Sequence, residues 1–228
     1  MTQNNEFKNR VVLITGAGRG RGCALAVTFA ARGAIVAAND VSPVNVDEVV
    51  ARILASGGQA RAYVQDVAKK VGVQALIKEV EDDWGQIDIL INHAAVEPHV
   101  PLLDMDEWDW HRVLDVNLTG TFLTLQSVGR VMRARGRGVI INSVMASSSR
   151  VQKERGAYLA SMGGIVNLTR EAARELNSQG VRVHIVGTGI SDVQHVDADI
   201  PREFVEAVLF LCGEEAARLN GQIVNVEE

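Results

Sequence analysis

The residues best suited to chemistry lie where the first apolar run ends, in Thr15-Gly16-Ala17-Gly18-Arg19-Gly20-Arg21-Gly22. The run Val11–Thr15 reads as a strand, and the stretch Ala24–Ala31 beyond the glycines has a helical pattern. Glycines in such a turn let the backbone bend sharply and approach a pyrophosphate. The free N–H groups that start the following helix then face the anion, reinforced by the helix dipole. Gly16, Gly20 and Gly22 form the candidate cradle, with Arg19 and Arg21 beside it. The competing reading is a turn merely rich in glycine; a strand before it and a helix after it argue for the cradle. Asp40 closes the second apolar run. A carboxylate there can accept hydrogen bonds from adenosine ribose hydroxyls and would repel a 2′-phosphate. Arg19 and Arg21 argue for the phosphorylated cofactor. Two like charges in a partly dry site cost more than a nearby arginine recovers, so NAD(H) is favoured over NADP(H). Asp40 could also cap the next helix, which is compatible with binding.

These residues need elements to hold them. Short β-branched runs predict strands over Val11–Thr15, Ile35–Asn39, Ala60–Gln65, Ile87–Asn92, Val139–Asn142, Val181–Val186 and Gln222–Val226. Most lack polar alternation, as strands covered on both faces do. Between them, Val46, Val49, Val50, Ile53 and Leu54 recur at helical spacing, as do Val73, Leu76, Ile77, Val80 and Trp84, and then Val205, Val208, Leu209 and Cys212. Such stripes read as core. A long helix is expected over 106–135, with Trp108 and Trp110 anchoring its start, and another over 156–178. Strands alternating with helices predict right-handed βαβ units and a doubly wound, Rossmann-type parallel sheet of about seven strands in a three-layer α/β/α arrangement. No Pro/Gly/Ser-rich linker or repeat interrupts the 228 residues, so one dinucleotide-binding domain is expected over 1–228.

The glycine spacing T-G-x-x-x-G-x-G resembles that of the short-chain dehydrogenase/reductase family, and an ordered series of further residues continues the resemblance. Asp66-Val67 follows the third strand, like the family pair that holds the adenine. Asn92-His93-Ala94-Ala95 follows the fourth and is similar to the family's N-N-A-G, which implies that Asn92 and Ala94 border the cofactor. Asn117 resembles the helix asparagine of the family's catalytic relay, Ser143 follows the fifth strand, and Tyr158 falls in Ala157-Tyr158-Leu159-Ala160-Ser161. The resemblance implies Tyr158 as proton donor or acceptor at a substrate oxygen, Ser143 as the anchor of that oxygen, and Asn117 as a relay member. Tyr158 would also border the cofactor.

The departures are equally specific. The family places a lysine four residues after the tyrosine, one helical turn on, where it holds the nicotinamide ribose and lowers the tyrosine pKa. Here that residue is Met162, which is neutral and has no donor. Lys153 is the one lysine nearby, and it precedes the tyrosine. Arg21 occupies a position usually apolar, and His93 and Ala95 replace Asn and Gly. Ser147 rivals Ser143, because Ser143 to Tyr158 is longer than the usual spacing. Thr188-Gly189 stands for the usual P-G, and only 190–200 separates the sixth strand from the last helix, a short substrate lobe.

Charge and composition exclude other classes. The net charge of −5 is spread along the chain with no basic block, so nucleic acid is not an expected partner. No apolar run reaches the ~18–20 residues that cross a bilayer, and 1–9 lacks the apolar core of a signal peptide. Cys23 and Cys212 read as small buried hydrophobes, and the five histidines show no metal-ligand spacing. A cytoplasmic homodimer or homotetramer acting on an unidentified small molecule is expected, the long helices carrying apolar residues such as Leu118, Phe122, Leu125 and Val128 beyond one stripe. Two functions fit: an NAD-dependent alcohol or ketone oxidoreductase with weak or altered catalysis, or a dinucleotide-binding homologue without turnover, a sensor or partner subunit.

Overall fold

The computed structural model describes residues 5–146, 153–190 and 203–226. Seven strands form one sheet in the order β3-β2-β1-β4-β5-β6-β7, and every pair is parallel. They are β1 (Val11–Thr15), β2 (Ile35–Asp40), β3 (Gln59–Val64), β4 (Ile89–Asn92), β5 (Gly138–Met145), β6 (Val181–Thr188) and β7 (Ile223–Asn225). One face carries α1 (Gly20–Ala31), α2 (Pro43–Ala55) and α7 (Phe204–Cys212), through Leu25, Phe29, Val46, Ile53 and Leu209. The other carries α3 (Lys70–Trp84), α5 (Gly120–Arg135) and α6 (Gly156–Asn177), through Leu76, Val80, Val128, Met132 and Ala172. This is the doubly wound, three-layer fold that the alternating pattern predicts. The strand order reverses between β1 and β4, and in open α/β sheets the crevice beyond such a reversal is where ligands bind.

The central strands are buried on both faces, whereas β3 at the sheet edge alternates in and out of solvent. Strand β4 starts two residues later than expected, at Ile89; just before it Asp88 still bonds through its backbone to the Val11 carbonyl and the Val139 N–H, and its carboxylate accepts from the Val11 N–H at 2.9 Å. Strands β5 and β6 run on together to Met145 and Thr188, extending the sheet toward the crevice.

The expected helix over 106–135 forms as α4 (Glu107–Leu114), a π-helical turn over Asp115–Thr119, and α5. Such turns are uncommon and gather at functional sites. Asp106, not a tryptophan, anchors its start: the Asp106 carboxylate accepts from the Asp109 N–H at 2.7 Å. Trp108 is 66% exposed and lies under the Arg112 guanidinium, so the expected anchoring role is not what it does.

Candidate active site

The glycine-rich turn is held by contacts a side chain would break. A Cβ on Gly22 would lie 2.1 Å from the Gly16 carbonyl oxygen, and one on Gly16, which has φ +69°, would lie 2.8 Å from Ala94 Cα. The turn can therefore sit on the β4 end only as glycine. Thr15 completes the seam, its hydroxyl accepting from the N–H groups of His93 and Ala94 at 3.1 and 3.2 Å. Arg19 takes the N-cap position of α1 without a side-chain cap, and no acid lies in the first turn. The helix N-terminus thus keeps free donors for an anion.

These groups line one cleft of about 520 Å³. Gly16, Arg19, Gly20, Arg21, Asp40, Asp66, Val67 and Ala94, all candidates from the sequence, border it. So do Asn39, Ser42, Asn45 and Gln65, ordinary polar residues in β2, ahead of α2, in α2 and after β3, which the sequence reading did not single out. The Asp40 carboxylate accepts from the N–H of Gly18 at 2.9 Å and of Ser42 at 3.0 Å. It is not the helix cap: Ser42 caps α2, ahead of Pro43. Each carboxylate oxygen keeps a lone pair for a ligand hydroxyl. The Asp66 carboxylate accepts from the Ala68 N–H at 3.0 Å and fixes the turn that carries Val67.

Two expected cofactor residues do other work. Asn92 turns inward, donating to Asn142 Oδ1 at 2.9 Å and accepting from the Thr124 hydroxyl at 2.7 Å; it ties β4 to β5 and α5 instead of facing the cleft. Gly22 is a packing glycine behind the turn.

His93 lies between the glycine turn and Phe204, with ring centroids 5.8 Å apart. Its Nδ1 is buried with no hydrogen-bond partner among the described residues. Burial, and then the Arg21 charge, push its pKa down to about 4, so the ring is neutral at pH 7. Arg21 reaches from α1 over the Phe204 ring at 5.5 Å, and Met145 Sδ accepts from its Nη1 at 3.3 Å.

Val96, which lines the cleft, also packs against the cluster that holds Tyr158, whereas Tyr158, expected to border the cofactor, is not among the residues lining the cleft. Tyr158 is 4% exposed and packs with Val113, Val144 and Met162, itself 2% exposed. Burial, then the Glu97 charge, push the phenol up to about 12, with Arg155 opposing them. Asn117, in the π turn, is brought to this cluster as a clamp. Its Oδ1 accepts from the Val96 N–H at 2.8 Å, and its Nδ2 donates to the Val96 carbonyl at 3.0 Å and to Ser161 Oγ at 3.1 Å. Ser161 in turn donates to the Tyr158 carbonyl at 2.6 Å.

Ser143 is not brought to Tyr158. Strand residues alternate between faces, and on β5 Val139 and Ile141 pack on the α1/α7 face while Val144 packs on the Tyr158 face. Ser143 shares the face of Ile141, and its Oγ is buried with no partner among the described residues. The expected anchoring role for Ser143 is corrected on this ground. Its rival Ser147 lies outside the described residues, as does 191–202, the part of the chain read as a short lobe.

A sequence model described as short chain dehydrogenase matches residues 10–203. The chain belongs to that family. Among its relatives, this short-chain dehydrogenase is 35% identical to a 3-oxoacyl-[acyl-carrier-protein] reductase of Synechocystis sp., over 96% of this chain and 95% of that protein. It is 32% identical to a D-threitol dehydrogenase of Mycolicibacterium smegmatis, over 93% of this chain and 89% of that one. A metagenomic short-chain oxidoreductase solved in complex with NADP superposes with a TM-score of 0.85 at 29% identity, covering 97% of each chain. Like its family, the short-chain dehydrogenase has a nicotinamide dinucleotide site, and the residues fit one: a cradle a Cβ would fill, an uncapped helix N-terminus, and a carboxylate beside the glycine turn in the same cleft.

Proposed function

We propose that this chain is an NAD(H)-dependent oxidoreductase of an alcohol–carbonyl pair, with slow turnover. The observation that carries the reading is the joining of the α1 N-terminus and Asp40 in one cleft, whose Val96 wall packs against the Tyr158 cluster. Gly20 and the α1 donors, with Arg19 and Arg21, would hold the diphosphate, Asp40 the adenosine ribose hydroxyls, and Asp66 with Val67 the adenine. Asp40 supports NAD(H) over NADP(H), since a 2′-phosphate beside a carboxylate already fixed by two backbone donors would meet uncompensated repulsion. When bound, the cofactor supplies or takes up a hydride.

In this reading Tyr158 carries the proton step at the substrate oxygen. With its pKa near 12 it is a phenol throughout the physiological range and donates to a carbonyl oxygen. The reverse step needs the phenolate, which is about 10⁻⁵ of the population at pH 7. Neither Met162 nor Ser143 assists. The family's Y-x-x-x-K motif is thus degenerate here, and with the short 190–200 segment this supports weak catalysis. The same features favour a second reading, a dinucleotide-binding protein without turnover. Pairing of two cytoplasmic copies through the exposed apolar residues Leu103, Trp108, Phe122 and Leu159 is part of the proposal.

The test measures NADH fluorescence on binding together with NAD-linked turnover across a panel of secondary alcohols and ketones. Binding with slow, pH-dependent turnover is expected. Binding with no turnover on any member establishes the second reading, and no binding of either dinucleotide overturns both.

A further inference from the structure

Arg155 sits in Lys153-Glu154-Arg155-Gly156, a polar stretch that reads as a solvated approach to α6. The fold buries it instead, to 7% exposure. A guanidinium cannot shed its charge, so burying one is costly unless its donors are met. They are met from two elements. Nε donates to Glu97 Oε1 in the loop after β4, and Nη1 and Nη2 donate to the carbonyls of Ala146 and Met145, at 3.2 Å each, where β5 ends. The fork is thereby fixed with the guanidinium carbon 4.9 Å from the centroid of the Tyr158 ring, on a third element.

We propose that Arg155 is the positioning residue of Tyr158: held by Glu97 and by the end of β5, it provides the fixed cation that position 162 lacks and governs how readily the phenol exchanges its proton. The role rests on the reading of Tyr158 as the proton-transfer group. Among the described residues, three charged groups reach the phenol. Glu97 faces it from the β4 loop, Arg155 from ahead of α6, and Arg21 from α1. His99 lies 4.0 Å from Glu97 and touches the pair only through it. Leu118 of the π turn, Val113 of α4, Val144 of β5 and Ile185 of β6 pack in the same apolar cluster as Tyr158. The phenol therefore sits between an opposed pair, Arg155 favouring the phenolate and Glu97 disfavouring it.

That opposition separates the proposed role from a structural one. If Arg155 and Glu97 only brace the loop, removing either loosens the same packing and moves Tyr158 the same way. If they set its proton affinity, the two removals move it in opposite directions. The chain has two tyrosines, Tyr63 and Tyr158, so Tyr63→Phe leaves one phenol to follow. In that background, whose midpoint near 12 lies just above the range, the phenolate fraction is read by near-ultraviolet absorbance from about pH 8 to about pH 11.5 and its rise extrapolated to the midpoint, with circular dichroism confirming the fold at each point. Glu97→Gln, which keeps an acceptor for Nε, is expected to lower the midpoint by on the order of one unit. Arg155→Met is expected to remove the phenolate signal from that range. Failure of Glu97→Gln to lower the midpoint overturns the proposal by itself, including where Arg155→Met does not fold. Movement of both variants in one direction also overturns it. The titration needs neither substrate nor cofactor, so a chain without turnover that still shows opposed shifts would sink the enzymatic reading and leave the hold of Arg155 on the phenol standing.

Discussion

Replacing Met162 with lysine would put an ammonium one helical turn beyond Tyr158 on the same face of α6. The native phenol, held near 12, leaves about one molecule in 10⁵ as phenolate at pH 7. A cation within several ångströms lowers such a pKa by about 1–3 units. The gain in rate is smaller than the gain in phenolate, because a more acidic phenol is also a weaker base. With a Brønsted coefficient of about one half, the net increase in kcat/KM is roughly 3- to 30-fold. It must be equal in oxidation and reduction at a given pH, since the variant cannot alter the equilibrium between the substrates. The cost falls on stability. Met162 is 2% exposed among Val113, Ile165 and Val166, and an ammonium there loses hydration worth several kcal/mol unless it reaches the cleft. The assay is kcat/KM for alcohol oxidation against pH, in the native chain and in Met162→Lys, with thermal unfolding measured alongside. The native profile should climb tenfold per unit with no break before the alkaline limit of the fold. In the variant a break should enter about 1–3 units lower. A native chain that turns over at about 10 s⁻¹ at pH 7, or a folded, NAD-binding variant with no gain and no moved break, would refute the reasoning.

Gly22→Ala should abolish dinucleotide binding without unfolding the chain, because its Cβ would meet the Gly16 carbonyl at 2.1 Å and push α1 off the turn; titration calorimetry and circular dichroism check the two halves. NAD(H) should bind more tightly than NADP(H), and Asp40→Asn should narrow the gap on the same calorimeter, the amide oxygen keeping one of the two bonds from Gly18 and Ser42. Acid should destabilise the chain through His184, which is wholly buried and whose pKa is pushed down to about 3 by burial and Arg182. A depressed histidine contributes stability above its unfolded value near 6.5 and loses it as pH falls toward 3, so denaturant midpoints should drop by the equivalent of about 3–5 kcal/mol across that window, and His184→Leu should flatten the drop. Light scattering at micromolar concentration should give two or four chains, and Phe122→Glu with Leu159→Glu should give one, both positions being exposed apolar residues of α5 and α6.

The sheet was legible because its signal is redundant. The apolar runs of β1, β2, β4, β5 and β6 are buried on both faces, so every residue reports the same fact. Boundaries depended on single polar groups and were not legible. Nothing in the sequence says that the Asp88 carboxylate takes the Val11 N–H at the start of β4, or that the helix over 106–135 relaxes into a π turn at Asp115–Thr119. The tryptophans misled because amphipathic periodicity gives a face, not its partner: Trp108 lies on a face that the described residues of this chain leave uncovered.

The two halves of the site differ for a physical reason. The cofactor half is written in backbone terms. Glycines that must lack a Cβ, free N–H groups and a carboxylate at a strand end act from fixed positions along the chain, so spacing alone places them. The proposed proton-transfer half depends on side-chain direction and on charges brought from remote segments. Ser143 lies within β5 instead of following it, and one residue of pleat decides its face: Ile141 and Val144 place it away from Tyr158. Arg155 was invisible because its burial is produced by Glu97, Met145 and Ala146, 58, 10 and 9 residues away. A buried guanidinium is tolerated only where acceptors are already fixed, and these belong to the β4 loop and the end of β5. The charge beside Tyr158 is therefore a property of the assembled sheet. It follows that substitutions at Glu97 should alter the chemistry of a tyrosine 61 positions away as strongly as substitutions beside it on α6.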